Sequence, residues 1–104
     1  MRIDLNASVC GKMYRLRSVR AASAMHGECD PPNKAKKEIR INQRLSGRAL
    51  CETVLHELLH ASAFDLLSEH YVTHAARDIA AVLWRLGYRV EEPKHGPKKT
   101  NQRG

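Results

Sequence analysis

Two histidines four residues apart, with a glutamate directly after the first, stand at His56-Glu57-Leu58-Leu59-His60 in the stretch ALCETVLHELLHA. On a helix this HExxH spacing puts both imidazoles on one face, one turn apart, where their nitrogens can converge on a single tetrahedral zinc ion. Glu57 lies one step round the same face. From there a carboxylate can take a proton from a water that the metal has made acidic and pass it on, the general-base half of metal-assisted hydrolysis.

A site of this kind needs a third protein ligand, and Asp65, Glu69, His70 and His74 compete for the role. If the motif helix ran on, Asp65 would point about 180° from His56, so it would reach the metal only through an abrupt reversal at Phe64. On a following helix, with Val72 set at zero, Glu69 falls at about 60°, beside Ala76, Ile79 and Leu83, whereas His70 and His74 fall at about 160° and 200°, towards solvent. A carboxylate in the line of a buried stripe is costly without a partner, and a zinc ion beside His60 would offset that cost. The expected ligands are therefore His56, His60 and Glu69, with Zn2+ as cofactor and Glu57 as the catalytic residue.

The elements that must hold these groups follow from periodicity. The motif helix is expected from about Arg48 to Phe64, after the break at Ser46 and Gly47. With His56 at zero, His60, Thr53 and Glu57 lie within about 100° of arc, while Leu50, Val54, Leu58, Cys51, Leu55 and Leu59 fill about 120° to 300° and form the packed face. Asp65-Leu66-Leu67 is a short connection, and Ser68 caps a second helix from Glu69 to about Leu86, closed by Gly87. Its buried stripe reads Val72, Ala76, Ile79, Leu83 and Leu86. So short a connection makes a tight corner or antiparallel hairpin and brings Glu69 near His60.

Upstream, Met1 to Ala7 read as a short strand or lead-in, and Lys12 to Val19 alternate as a half-buried strand with Tyr14 and Leu16 inward. A further strand is expected at Ala22 to His26, ended by the turn-rich GECDPPNK, and Glu38 to Asn42 alternate with Ile39 and Ile41 inward. The fold class is thus α+β, a small antiparallel sheet followed by the motif helix and a second, C-terminal helix. Residues 1–90 make a single domain, and 91–104, without periodicity, a basic disordered arm.

At 104 residues the chain holds one modest core, so a substrate site must be shallow. MRIDLNAS lacks a signal-peptide h-region and no apolar run approaches a membrane span, which places the protein in the cytoplasm without membrane contact. Cys10, Cys29 and Cys51 contain no CxxC pair and read as reduced thiols; His26 and Cys29 alone lack the further ligands of a second metal site. The formal charge of +7 favours an acidic partner and suggests weak electrostatic contact with nucleic acid. Much of the excess falls at Lys34, Lys36 and Lys37, at Arg15, Arg17 and Arg20, and between Lys94 and Arg103, without the interleaved aromatics of a base-stacking platform.

The succession of a hairpin, the turn Gly27-Glu28-Cys29-Asp30, the strand KEIRIN, the helix TVLHELLHA and a second helix resembles the minimal core of the HExxH zincin metallopeptidases, compact gluzincin type. It is similar to the SprT-like and ImmA/IrrE-like small proteins and to the compact zincins often encoded by phages and mobile elements. The likeness spans about Tyr14 to Gly87 and is most specific in residues 53–60; the HxxGxxH extension and Met-turn of metzincins are missing. It implies a zinc metallopeptidase that hydrolyses peptide bonds in a protein or peptide substrate, with His56 and His60 as ligands and Glu57 as base. It also implies that the strand before the motif helix lies at the edge of the site and holds an extended peptide, here through Ile39, Arg40 and Ile41. Tyr71, His74 and Tyr88 are the candidates for stabilising the oxyanion. Two other readings remain: a zinc-stabilised adaptor or regulatory protein with little turnover, and a basic zinc module associated with nucleic acid.

Overall fold

The structure, a computed structural model, describes residues 2–20 and 25–90. It is α+β: four strands, β1 (Asp4–Val9), β2 (Lys12–Val19), β3 (Gly27–Cys29) and β4 (Glu38–Asn42), precede two helices, α1 (Gly47–Ser62) and α2 (Glu69–Arg85). β1 and β2 form a hairpin in the register Val9 to Lys12, turned by Cys10 and Gly11 at φ 50° and 79°, the two positive φ values of the turn that matches strand twist. Of the two readings of the N-terminus, a short strand or a lead-in, the strand is the one found, at Asp4–Val9 and not Met1 to Ala7. The sheet order is β1-β2-β4-β3.

That order corrects three expectations. The sheet is mixed, because β2 and β4 pair in parallel, Leu16 opposite Ile39, while β3 runs antiparallel to β4. The third strand lies at Gly27–Cys29, inside the segment read as turn; of the expected Ala22–His26 strand, residues 22–24 fall outside the described residues, and Met25 and His26 are not in a strand. Pro31 and Pro32 bound β3 on its C-terminal side only, so three residues can still pair. Most consequentially, β4 is an interior strand. Ile39 and Ile41 are fully buried, and the edge strand beyond β4 is β3, with β1 at the opposite edge.

One face of the sheet is covered. Tyr14, Leu16, Ile39 and Ile41 meet Leu50 and Ala61 of α1 in the core, with Val54 and Leu58 packed against it. Each large side chain buried this way contributes about 1.5–3 kcal/mol, so a core this size holds one sheet and one helix together. The opposite face is a ladder of charge: Arg17 to Glu38 at 3.0 Å, Arg40 to Glu38 at 3.3 Å and to Glu28 at 3.2 Å, and Arg15 to Asp4 at 2.8 Å.

α1 is shorter than its periodicity implied, because the chain turns at 63–66 and Asp65 takes a φ of 66°. Ser68 caps α2 by accepting from Tyr71 N at 3.0 Å, and Gly87, φ 96°, ends it with Tyr88 N donating to Leu83 O, both as expected. Among the elements α2 packs on α1 alone. Its buried positions are Val72, Ala76 and Ala80, whereas Ile79 and Leu86 of the expected stripe are exposed: with one helix to cover, a line of small residues suffices. No described helix is long and apolar enough to cross a membrane. The 91–104 segment lies outside the described residues.

Candidate metal centre and cleft

The α1–α2 turn brings the start of the second helix back over the end of the first. His56 Nε2 lies 2.9 Å from Glu69 Oε2 and His60 Nε2 lies 3.0 Å from Glu69 Oε1, so one carboxylate faces both imidazoles. The three side chains offer ligand atoms all within 4.8 Å of one another, and this group could hold a metal ion. Two imidazoles and a carboxylate are the donor set zinc prefers when a fourth position is kept for water or substrate, so the residues fit the expected ion. Thr73, one turn along α2, donates its hydroxyl to Glu69 Oε2 at 3.2 Å and steadies the carboxylate from behind. Although partial desolvation acts against it, the hydrogen bond with His60, the charge of His56 and the Thr73 hydroxyl hold the Glu69 carboxyl below its ordinary value.

The position of Glu69 matches the expectation, but the burial argument that led to it does not. Its side chain is 70 % exposed, at the mouth of the site and not in the α1–α2 seam. His70 and His74 point away, with ring centroids 4.4 Å apart and His74 Nδ1 2.7 Å from Arg77 Nη2. Asp65 meets the reversal it needed and lines the cleft, yet it stands outside the ligand group.

Glu57 has the reverse environment. It is 7 % exposed and accepts no hydrogen bond among the described residues, which is unusual for a buried carboxylate. Burial pushes its carboxyl up to about 7; a positive His60 opposes the rise, and the charges of Glu69 and Glu28 add to it. The most buried residues of α1 are Leu50, Thr53, Glu57 and Ala61, so the helix face carrying the base is turned to the sheet, while Cys51, Leu55 and Leu59 of the expected apolar arc are half-buried. Gly27 of β3 is what admits Glu57 there. A Cβ at Gly27 would stand 3.0 Å from Glu57 Cγ and 3.1 Å from both Glu57 Oε2 and Thr53 Cγ2.

Two open clefts meet at this point. One of about 510 Å³ runs from Gly27, His56, Glu57, His60 and Glu69 towards Cys29, Arg40, Phe64 and Leu67. The other, about 370 Å³, shares Gly27, His56, Glu57 and Glu69 and runs towards Met25, His26, Thr53 and Thr73. They form a groove along the free edge of β3 with the histidines and Glu57 near its middle. Cys29 faces this groove half-buried, and burial together with the charge of Glu57 pushes its thiol up to about 11, so it stays protonated. None of the three cysteines is in a disulfide.

Of the three residues expected to contact substrate, only Arg40 lines the groove, and its guanidinium is held by Asp30 at 2.7 Å, Glu28 and Glu38. Ile39 and Ile41 are core residues. Tyr71, His74 and Tyr88 line neither cleft. Thr53 lies in the cleft, on the polar arc expected for it, whereas sequence reasoning missed Gly27 and Thr73 as parts of the site. The i, i+4 spacing of Glu69 and Thr73 was a readable signal; nothing local marked Gly27, whose role depends on which strand lies over α1.

Comparison of the chain with protein-family models, curated proteins and solved structures finds no match.

Proposed function

We propose that this protein is a zinc-dependent metallopeptidase of HExxH type. The observation that carries the reading is a buried, unpaired Glu57 set between two imidazoles that share a carboxylate and the free edge of a strand. Burial of a lone carboxylate costs stability, and function explains why the cost is retained: a general base working near neutral pH needs the raised value that burial gives. His56, His60 and Glu69 would hold the ion. When bound, zinc makes water nucleophilic near neutral pH and polarises a carbonyl.

The chain's own residues do the rest. An extended peptide adds to the edge of β3 through main-chain hydrogen bonds, which fixes the carbonyl to be attacked above Glu57, and Gly27 keeps that edge close to the carboxylate. Glu57 removes a proton from the attacking water and delivers it to the departing amide nitrogen, a contribution of about 10²–10⁴ in rate for a well-placed base. The main-chain character of the edge, with an open groove to either side, suits unfolded segments of protein or peptide and not a compact folded surface.

The test combines metal analysis with one substitution. Purified protein should contain zinc in near-equimolar amount, and Glu57→Gln should keep the metal and the fold while losing at least about 100-fold in hydrolysis of a denatured-protein and peptide panel. Equal background hydrolysis by both forms would leave a zinc-stabilised binding protein in place of an enzyme.

A further inference from the structure

The charge of +7 is unevenly placed once the chain folds. Most carboxylates of the described residues are on the outer sheet face, tied to Arg15, Arg17 and Arg40, or in the groove. The parallel pairing of β2 and β4 brings their C-terminal ends together, where Gln43 N donates to Val19 O at 2.9 Å. Arg20 leaves the sheet at that end from β2, and Arg44 leaves it from β4 just before α1 begins with Gly47 and Arg48. The last turn of α2 lies against the same place: a Cβ on Gly47 would meet Trp84 Cη2 at 3.9 Å, and Arg89 and Arg48 both act on Cys51.

Five arginines that the sequence scatters from position 20 to position 89 thus gather at one end. All five are exposed, and none makes an ion pair among the described residues. The first turn of α1 contains no acidic residue. Unneutralised guanidinium groups clustered this way repel one another, so the arrangement is favourable only with an anionic partner of matching extent.

We propose that the Arg20, Arg44, Arg48, Arg85 and Arg89 end is a docking surface for the phosphate backbone of nucleic acid, bound without base recognition. Guanidinium pairs with phosphate oxygens in bidentate fashion, the geometry that distinguishes an arginine cluster from a lysine one. Of the two aromatic side chains at this end Trp84 is already engaged, because Arg89 stacks on it at 3.5 Å and donates Nη1 to Trp84 O and Tyr88 O at 3.0 and 2.8 Å, whereas Tyr88 is exposed. One free phenol ring beside five guanidinium groups makes no platform for successive bases, so backbone charge is the main feature read. Arg48 and His56 are eight residues apart on α1, about 12 Å of rise, so the groove stays open when this end is occupied. The proposal is independent of whether the groove hydrolyses peptides.

The probe is a labelled mixed-sequence 20-base-pair DNA duplex followed by fluorescence anisotropy with the full-length chain, alongside the single strand, an RNA duplex and vesicles containing phosphatidylserine. Four phosphate contacts give a log–log salt slope of about −3.6, so affinity for the duplex should fall about 150-fold between 50 and 200 mM salt, with little dependence on sequence. Arg44→Glu/Arg48→Glu should lower that slope by about 2 and weaken binding at least tenfold at 100 mM salt. Lys12→Glu/Lys36→Glu, with the same charge change at the far end of the sheet, should stay within about twofold, and circular dichroism should show both variants folded. Absence of duplex binding at 50 mM salt, equal losses in the two variants, or preference for vesicles over every nucleic acid would overturn the proposal.

Discussion

Glu69 and Glu57 are two carboxylates with opposite surroundings, which suit the opposite tasks proposed for them. Glu69 is largely exposed and held by His56, His60 and Thr73, which keeps it ionised and able to meet a cation. Glu57 is buried without a hydrogen bond, which keeps its proton affinity high. The exposure of Glu69 changes what its removal should do. Glu69→Ala should leave the metal-free protein within about 0.5 kcal/mol of wild type, as for other exposed substitutions, and abolish only the stabilisation that added zinc confers. Thermal melts with zinc and with chelator check both halves; His70→Ala and His74→Ala should behave as wild type in each. Loss of zinc binding in His70→Ala would reassign the ligand. At Gly27 the prediction is steric. Gly27→Ala drives a methyl into buried Glu57 and Thr53, and because neither can swing out, a loss of about 1–3 kcal/mol is expected in denaturant unfolding, with hydrolysis falling as well.

At the scale of elements, the sheet's outer face is fixed by an ion pair between half-buried Arg40 and buried Asp30 at the β3–β4 junction. Arg40 clamps Asp30 at 2.7 Å, the Glu38 N–H and Lys34 add further bonds, and together they hold the Asp30 carboxyl well below the usual carboxylate range. Tyr14 donates its hydroxyl to Asp30 O at 3.2 Å, tying the same turn to the core. A carboxyl depressed in the folded state contributes stability that is fully present above its ordinary value near about 3.9 and is lost as pH falls towards the folded value. Arg40→Ala should therefore cost about 3 kcal/mol at pH 7, and its gap from wild type should narrow below about pH 4, as followed by urea unfolding across pH. A gap that is constant with pH would show that packing, not charge, is what Arg40 contributes.

The same junction shows where sequence reading succeeds and stops. The helices were legible because their signals are local: the apolar period, the Ser68 cap, the glycine at 87, and the four-residue step between His56 and His60. The strands at Lys12–Val19 and Glu38–Asn42 were legible by alternation for the same reason. Strand order was not, since Ile39 and Ile41 alternate identically whether β4 is at the edge or inside, and only pairing across 20 or so residues decides it. The three residues of β3, which begin with Gly27 and stop short of Pro31 and Pro32, gave no periodic signal at all. The site inherits this division: His56, Glu57 and His60 follow from one helix, and Glu69 follows from a short turn, but the groove follows from β3. The arginine end was invisible for the same reason, being assembled from four separate elements.

For the whole molecule, α2 is the element held by a single neighbour. It touches one helix, through Val72, Ala76 and Ala80, and leaves Tyr71, Val82 and Leu86 exposed, whereas α1 is packed between α2 and the sheet. Small side chains bury little area, so the α1–α2 seam contributes less than the α1–sheet core. The candidate metal group bridges the two helices, with His56 and His60 on α1 and Glu69 in the first turn of α2, and an ion bound there would tie α2 to the helix that packs on the sheet. Local opening of α2 must then release the ligand, so its opening free energy rises with zinc activity as binding linkage requires. At free zinc 100 times the dissociation constant the increment is about 2.7 kcal/mol, or about 100-fold slower amide exchange in α2 when exchange follows opening. Exchange in β2 and β4 should slow less, unless those strands already open only by global unfolding. Hydrogen exchange with mass spectrometry, in zinc and in chelator, reads both. Equal slowing in all elements would mean that α2 and the sheet open as one unit, and no slowing in α2 would mean that Glu69 does not bear the metal.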